Sequence, residues 1–189
     1  MSILAGSHSN IMVQGITGRE ASMVVKHMRE YGTPVVAGVT PGKGNSYVCD
    51  NPVFDTVSAA KMHVEINTSS IYVPPLSALD ACVEALDNGI ELLLIITENV
   101  PLHDMMKIIT LAEEKHTRVV GPNSVGIITP GSRAKLGPIG GDNPDRCFIP
   151  GNIGIISRSG GMTAEIALTL KRQGWGVSTA ISVGGDPIL

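Results

Sequence analysis

Short apolar runs alternate with segments of helical periodicity along this chain, and this alternation limits its fold more than any other feature. Apolar runs at residues 11–13 and 34–39 flank residues 20–31, where apolar side chains recur at helical spacing. A strand followed by a helix and another strand is the unit of parallel sheets whose two faces are covered by helices. The sequence therefore predicts an α/β protein with a doubly wound parallel sheet.

The same alternation continues to about residue 127. Further strands are predicted at residues 69–73, 91–97 and 118–121. Gly89 follows one of the helical segments, as glycine commonly does at the end of a helix. The other predicted helices occupy residues 55–62, 76–89 and 102–115. We therefore predict that residues 1–127 form one doubly wound domain.

Residues 128–151 interrupt this pattern because they are dense in glycine and proline. Such a composition predicts a linker without regular elements. The order of strand, turn, helix and strand then returns over residues 152–189. A single unit of this kind does not bury both faces of a sheet by itself. We therefore predict that residues 152–189 begin a second domain rather than extend the first.

Composition argues against several classes of function. The 189 residues carry a net charge of −3 at pH 7, which gives no general attraction to nucleic acid or to an anionic membrane. No apolar run approaches the roughly 20 residues that cross a bilayer, and the N-terminal residues lack a signal-peptide pattern, so we expect a cytoplasmic protein. The three cysteines and five histidines have no metal-ligand spacing, so we expect no metal site.

The turn after the first strand has the composition of a phosphate-binding loop. Gly15 and Gly18 lie between a strand and a helix, where backbone N–H groups and a helix N-terminus point towards one place. The spacing is G-x-x-G-x-x-A, not the G-x-G-x-x-G of dinucleotide-binding proteins, and no acidic residue follows the second strand. The pattern therefore disfavours NAD. A turn that needs small residues only for packing explains it equally well.

Three further loops follow predicted strands and should meet this turn at one edge of the sheet. Lys43 lies in a glycine-flanked loop after the second strand, where it can pair with a phosphate. A Pro-Pro corner follows Val73, and Thr97 and Glu98 follow a later strand. Open α/β sheets bind ligands at the carboxyl ends of their strands. Together the loops predict a cleft of nucleotide size, although an exposed loop lysine needs no ligand to explain it.

A series of short motifs resembles one enzyme family over the whole chain. In chain order the motifs are GITG, YGTPVVAGVTPGKG, PVFDTV, IYVPP, IITE, GPNSVGIITPG, GIISRSGGMTAE and GGDP. They are similar to the alpha subunits of succinyl-CoA synthetase, or succinate–CoA ligase, and of related acyl-CoA ligases that form a nucleoside diphosphate. The resemblance implies that residues 1–127 are a Rossmann-like CoA-binding domain. It also implies that residues 152–189 begin a flavodoxin-like ligase domain.

The resemblance assigns positions to coenzyme A. It implies that the first loop holds the phosphates of CoA. Arg19, Glu20 and Ala21 replace residues that are commoner in the family, so we expect the phosphate contacts to differ there in detail. The positions assigned to CoA are Thr17, Gly18, Arg19, Glu20, Lys43, Val73, Pro74, Pro75, Ile96, Thr97 and Glu98.

Two further motifs correspond to the family's reaction centre. The segment GPNSVG places Asn123 and Ser124 at the border of the active site, where Cys-Pro often replaces Ser124 and Val125 in the family. Ser159, Gly160 and Gly161 begin a helix whose N-terminus is implied to face a phosphorylated histidine. In the family that histidine lies beyond the position of residue 189. No catalytic residue is therefore assigned here, and we expect this chain alone to be inactive.

The resemblance implies a reaction in three transfers. A nucleoside triphosphate phosphorylates the histidine, the phosphoryl group passes to a carboxylic acid, and the thiol of CoA displaces phosphate to form the acyl-CoA. ATP or GTP and Mg²⁺ are implied to bind a partner beta subunit. Succinate is the first candidate acid, but the RSGGM segment is closer to ATP-citrate lyase and citryl-CoA synthetase, so ligases that form citryl-CoA or malyl-CoA are alternatives. A stand-alone CoA-binding regulatory module is another.

Overall fold

The computed structural model describes residues 3–186, which form two sheets and five α-helices. The first part of the chain contains β1 (Ile11–Gln14), α1 (Arg19–Tyr31), β2 (Val35–Val39), β3 (Ser46–Val48), β4 (Asn51–Phe54), α2 (Val57–Lys61), β5 (Thr68–Ile71), α3 (Ala78–Asp87), β6 (Leu92–Ile95), α4 (Leu102–Glu114) and β7 (Arg118–Val120). The second part contains β8 (Gly126–Thr129), β9 (Ala134–Leu136), β10 (Pro150–Ser157), α5 (Gly160–Arg172) and β11 (Val177–Ser182).

The first sheet has seven strands in the order β3-β4-β2-β1-β5-β6-β7. Every neighbouring pair is parallel except β3 and β4. Strand β1 lies between β2 and β5, so the chain builds the sheet outward from β1 first on one side and then on the other. The carboxyl ends of β1, β2, β5 and β6 therefore meet at one edge, at the point where the direction of winding reverses. The prediction of a doubly wound parallel sheet is confirmed.

Both faces of this sheet are apolar, which explains the continuous apolar runs in the sequence. Successive side chains of a strand point to opposite faces. Met12 and Leu93 accordingly belong to the cluster under α3 and α4, whereas Val13 and Leu94 belong to the cluster under α1. Strands of this kind stay buried only if helices cover both sides of the sheet.

The antiparallel pair β3 and β4 has no counterpart among the predicted elements. Its strands have three and four residues. Strands of this length are too short to show a recognisable alternation of apolar and polar residues. The connecting residues, Cys49 and Asp50, have φ angles of 48° and 59°. The pair lies at the edge of the sheet, where β4 continues the parallel order beside β2.

The second sheet corrects the prediction of an irregular linker over residues 128–151. Strands β8 and β9 occupy the start of this segment and pair antiparallel with each other, and β8 also pairs antiparallel with β11. The resulting order is β10-β11-β8-β9. The sequence shows no alternation of apolar and polar residues here, because the two strands have only four and three residues. A turn at Pro130–Ser132 separates them. The domain boundaries at residues 127 and 152 stay predictions.

The second sheet packs against the first part of the chain at the end of α1. The backbone N–H of Lys135 donates to Thr33 Oγ1 at 2.9 Å, and that hydroxyl donates to the Lys135 carbonyl at 3.0 Å. The guanidinium of Arg133 lies 4.1 Å above the ring of Tyr31, and burial raises the pKa of Tyr31 to about 12. Ile127 of the second sheet shares an apolar cluster with residues of the first. The two sheets are therefore joined by one continuous core.

Candidate functional site

The turn between β1 and α1 is closed by a hydrogen bond from the Gly18 N–H to the Gly15 carbonyl, at 2.9 Å. Gly15 has a φ of 81°, and a Cβ built there would lie 3.0 Å from the carbonyl oxygen of Tyr72. Conformation and space therefore both require glycine at position 15. Gly18 has a φ of −64° and a ψ of 147°, which other residues also adopt. The sequence pattern did not distinguish the two glycines. In the structure, only Gly15 has a backbone conformation and a close contact that exclude other residues.

The N-terminus of α1 has the properties of an anion site. The first intrahelical hydrogen bond runs from Ser22 N–H to the Gly18 carbonyl at 2.9 Å, so the N–H groups of Arg19, Glu20 and Ala21 precede it. Among the described residues, no side chain caps this end of the helix. Uncapped N–H groups and the helix dipole favour negative charge at such a position.

A cleft of about 830 Å³ opens in front of this turn, at the carboxyl ends of β1, β2 and β5. We call it the first cleft. It includes the predicted site residues Thr17, Gly18, Val73 and Pro74. Its complete lining is Gln14, Gly15, Thr17, Gly18, Val39, Thr40, Pro41, Tyr72, Val73, Pro74, Ser77, Asp80, Ala81 and Glu84.

One wall of the first cleft was missed by the sequence analysis. Ser77, Asp80 and Glu84 line it from α3 and the turn before it. The spacing of Asp80 and Glu84, four residues apart on a helix, was the signal that could have shown a shared face. Glu84 accepts a hydrogen bond from the Val57 N–H at 2.8 Å. The Glu84 side chain therefore binds the backbone at the start of α2 and also forms part of the cleft wall.

Gln14 was also missed, although it is the one polar residue in the first strand. Its side chain is buried, with Nε2 donating to the Ala81 carbonyl at 2.9 Å and Oε1 accepting from Ser69 Oγ at 2.7 Å. These bonds join β1, β5 and α3 at the floor of the first cleft. Because both ends of the amide are already bonded, Gln14 holds the floor in place.

A second cleft, of about 410 Å³, adjoins the first at Tyr72 and Val73, which line both. Thr97 Oγ1 donates to the Val73 carbonyl at 2.8 Å, which ties the loop after β6 to the loop after β5. The Asn123 N–H in turn donates to the Thr97 carbonyl at 3.0 Å. The second cleft is lined by Glu20, Tyr72, Val73, Pro75, Ile96, Thr97, Glu98, Asn99, Asn123, Ser124, Val125 and Pro138.

Two hydroxyl groups at the second cleft differ in their roles. Ser124 Oγ donates to the Ser182 carbonyl at 2.5 Å and accepts from the Gly126 N–H at 2.9 Å, so it holds the loop in place. The Tyr72 hydroxyl is buried. Burial raises the pKa of Tyr72, and the Glu20 carboxylate raises it further. Tyr72 is therefore a neutral phenol between the two clefts.

The N-terminus of α5 lies beside the second cleft. Ser159 is its N-cap, and its hydroxyl accepts from the Met162 N–H at 3.3 Å. A Cβ built on Gly160 would lie 2.6 Å from the side chain of Val125, which lines the cleft. Gly160 therefore allows the close approach of the helix, and Gly161 follows it in the first turn. The structure thus brings the start of α5 into contact with Val125, which lines the second cleft together with Asn123 and Ser124.

Two predicted cations, Lys43 and Arg19, do not line either cleft. Both are exposed. Lys43 ends a turn in which its N–H donates to the Thr40 carbonyl at 3.1 Å, and Thr40 and Pro41 of this turn do line the first cleft. Arg19 lies between Gly18, of the first cleft, and Glu20, of the second. Both cations are therefore adjacent to lining residues without being part of the lining.

Two further observations concern residues 3–186 as a whole. No helix in this range is both long and apolar enough to cross a membrane. The same residues contain no group of three or more histidine, cysteine, aspartate or glutamate side chains arranged to hold a metal ion.

Comparison with known proteins gives matches to both halves of the chain. Residues 7–99 match the CoA-binding domain family. The chain is 49% identical over 190 residues to the succinate–CoA ligase [ADP-forming] subunit alpha of Aquifex aeolicus, a match that covers 100% of this chain and 61% of that protein. It is 44% identical to the malate–CoA ligase subunit alpha of Methylorubrum extorquens, covering 100% and 63%. The chain thus spans about three fifths of these curated relatives.

Among solved structures, the ATP citrate lyase from Methanothrix soehngenii in complex with citrate and coenzyme A is similar in fold. The TM-score is 0.82 at 22% sequence identity, and the match covers 97% of this chain and 32% of that chain. The similarity includes the second sheet as well as the first, because nearly the whole chain is covered. The two sheets therefore occur together in that larger protein.

Proposed function

Because residues 7–99 match the CoA-binding domain family and the whole chain is similar to alpha subunits of succinate–CoA and malate–CoA ligases, we propose that it binds coenzyme A across the two clefts. The observation that carries this proposal is the uncapped N-terminus of α1, which opens on a first cleft joined to a second one at Tyr72 and Val73. A ligand with a phosphorylated nucleotide at one end and a long neutral arm at the other matches this pair of clefts.

The phosphates of CoA are proposed to bind at the turn before α1. The N–H groups of Arg19, Glu20 and Ala21 supply donors there, next to Thr17, whose hydroxyl donates to Thr40 Oγ1 at 3.2 Å. Hydrogen bonds to an ionised group are about twice as strong as neutral ones. Glu20 is among the lining residues of the second cleft and not of the first. Lys43 and Arg19 add positive charge from outside the lining.

The positions of the adenine ring and the pantetheine arm are proposed from the apolar residues that line the two clefts. Val73, Pro74 and Pro41 present apolar surface in the first cleft, which suits the flat adenine ring. Pro75 and Ile96 continue the apolar surface into the second cleft, where the pantetheine arm is proposed to lie past Thr97 and Glu98. Its thiol then ends near Asn123 and Ser124.

The start of α5 is proposed to stabilise a phosphoryl group during the ligase reaction. The N–H groups of Gly160 and Gly161 precede the first backbone bond of α5, from Thr163 N–H to the Ser159 carbonyl at 3.0 Å. Such groups favour a dianion. The phosphorylated histidine itself is proposed to come from outside residues 1–189. This chain then supplies the CoA site and one helix N-terminus of a larger active site.

The partner is proposed to be a beta subunit that binds the nucleotide and Mg²⁺, in the cytoplasm. The name "subunit alpha" of the relatives supports an assembly of this kind. Mixing the chain with the beta subunit of Aquifex aeolicus succinate–CoA ligase tests it, because the two alpha chains are 49% identical. Co-elution in size-exclusion chromatography is expected. Separate elution would instead favour a stand-alone CoA-binding regulatory module.

Succinate is the proposed acid, and malate is the second candidate. Succinate is supported by a succinate–CoA ligase subunit that is 49% identical to the chain. Malate is supported by a malate–CoA ligase subunit that is 44% identical. Citrate is supported only by the motif RSGGM and by likeness of fold. Adding each acid to the complex with CoA and measuring which one changes the thermal midpoint separates the three.

Isothermal titration of the chain with CoA tests the central proposal, with NAD as the matched control ligand. Both ligands carry an adenosine diphosphate group, so a site for nucleotides in general binds both. Binding of CoA without binding of NAD is expected. If CoA gives no heat while the chain is folded by circular dichroism, the proposal that these residues hold CoA is wrong.

A further inference from the structure

Three loops interlock above the second cleft. The first, residues 121–124, follows β7, and the second, residues 183–186, follows β11. The Gly121 N–H donates to the Val183 carbonyl at 3.1 Å. A Cβ built on Gly184, whose φ is 108°, would overlap the carbonyl oxygen of Pro122. The two loops are therefore in direct backbone contact, and only glycine fits at position 184.

The third loop connects β10 to α5 and contains Arg158, whose side chain binds the backbone of residues 184–186. Its Nη2 donates to the carbonyls of Gly185 at 3.0 Å and Asp186 at 2.5 Å, and its Nε approaches the Gly184 carbonyl at 3.4 Å. A guanidinium is a rigid planar fork, so three consecutive carbonyls on one fork fix the course of the backbone. The carboxylate of Asp186 is thereby left for another partner.

That partner is Asn123, a lining residue of the second cleft. Its Nδ2 donates to Asp186 Oδ1 at 3.0 Å, and both side chains are half-buried. The Asn123 backbone is held independently by its N–H bond to the Thr97 carbonyl and has a φ of 55°. An ionised carboxylate only accepts hydrogen bonds, so the NH₂ group of the amide must face it. The amide oxygen of Asn123 is then the atom left over.

We propose that Asp186 is a positioning residue that orients the Asn123 amide so that its oxygen accepts a hydrogen bond from the ligand in the second cleft. The inference rests on the proposed function, because it identifies the donor as an amide N–H of the pantetheine arm of CoA. The phosphate groups of CoA are largely ionised at neutral pH and therefore act mainly as acceptors. An acceptor fixed at position 123 therefore favours the amide groups of the arm over the phosphates.

An exchange of the two side chains tests this orientation. In Asp186→Asn the group facing Asn123 both donates and accepts, so the Asn123 amide is free to turn over. In Asn123→Asp two carboxylates face each other. In the double variant, the amide at position 186 donates to the carboxylate at position 123, whose second oxygen still accepts from the ligand. We expect each single variant to bind CoA roughly 3- to 10-fold more weakly and the double variant to recover most of the loss.

Adenosine 3′,5′-bisphosphate is the matched control ligand because it lacks the pantetheine arm. Its affinity should be the same in all four proteins, whereas a general disturbance of the fold would lower it too. Unchanged CoA affinity in both single variants would overturn the proposal. So would a double variant that loses as much as the two single variants together, because the effects of uncoupled sites add.

The wild-type chain provides a readout that does not depend on the variants being folded. The side-chain NH₂ protons of Asn123, observed by NMR, should exchange with solvent more slowly than those of Asn45, whose side chain is exposed. Equal exchange would mean that Asp186 does not hold the amide. This measurement needs no CoA. It therefore separates a failure of this inference from a failure of the proposed function.

Discussion

Gly15 and Tyr72 are in direct backbone contact: a Cβ on Gly15 would lie 3.0 Å from the Tyr72 carbonyl oxygen and 3.3 Å from the Val73 nitrogen. The contact joins the turn after β1 to the loop after β5. Both segments line the first cleft. The course of its wall here therefore depends on a backbone approach that a side chain at position 15 would obstruct.

Gly15→Ala is expected to destabilise the protein by about 1–2 kcal/mol, since an L-residue at a φ of 81° is strained and its Cβ meets the Tyr72 carbonyl. CoA affinity should fall as well, because the wall of the first cleft must move. Urea denaturation gives the first quantity and titration with CoA the second.

Gly18→Ala is the matched control for that variant. Gly18 has a φ of −64°, so alanine fits its backbone, and the nearest atom to an added Cβ is the Gly15 carbonyl oxygen at 3.2 Å. We expect a loss of stability clearly smaller than that of Gly15→Ala. Equal losses at the two positions would contradict the conformations described for this turn.

Lys43→Ala is expected to weaken CoA binding by roughly 1 kcal/mol, through loss of one charge near the phosphates. Lys43 is exposed and outside the cleft lining, so the effect should shrink as salt is added. Titration at low and high ionic strength measures this. Lys107→Ala, which removes the same charge from α4, should leave CoA affinity unchanged; an equal effect of both variants would exclude a specific role for Lys43.

Ser159→Ala is expected to destabilise α5 by about 0.5–2 kcal/mol, because the Ser159 hydroxyl caps the Met162 N–H. Thermal unfolding measures the loss. Ser159→Asp is the matched comparison, since aspartate caps a helix about as well as serine. If alanine and aspartate destabilise the chain equally, the hydroxyl does not act as a cap.

Lys135 should make the stability of the chain depend on pH. Its side chain is fully buried and its Nζ donates to the Gly141 carbonyl. Burial lowers the pKa of Lys135 from 10.5 to about 8, against a smaller opposing effect of the Asp142 carboxylate. Between about pH 8 and pH 10.5 the unfolded chain therefore binds more protons at this site than the folded chain. Stability from this group should rise with pH across that window.

Comparing the wild type with Lys135→Met isolates this contribution from other groups that titrate in the same range. The thermal midpoint of the wild type minus that of the variant should increase as the pH is raised from 7 to 10. A difference that stays constant over this range would contradict a lysine that is desolvated by the fold.

Much of the fold could be predicted from local patterns. The strand at Ile11–Gln14, the helix at Arg19–Tyr31 and the strand at Leu92–Ile95 agree with the predicted elements within a few residues. Each has an apolar run or a helical period that reflects burial on two faces or on one. The strands β3, β8 and β9 could not be predicted in this way. Each has only three or four residues, and its partner strand rather than its own composition makes it a strand.

The residues of the candidate site also fall into those that could be predicted from local sequence and those that could not. Residues in the loops after β1, β5 and β6 could be chosen from the sequence, because the carboxyl ends of parallel strands share an edge. Asp80 and Glu84 could not, since they lie on a helix whose orientation depends on packing. Lys43 was chosen for its charge, but the turn that carries it leaves it outside the lining.

The sequence by itself determined the alternation of strands and helices, the edge of the sheet at which the clefts lie, and the turn that opens there. These follow from burial periods and glycine positions, which are local properties of the chain. Only the tertiary structure decided that Gly15 rather than Gly18 is required, that β8 and β9 complete a second sheet, and that Asp186 faces Asn123 across 63 residues of chain. Such contacts depend on how distant segments pack, and no local pattern records that.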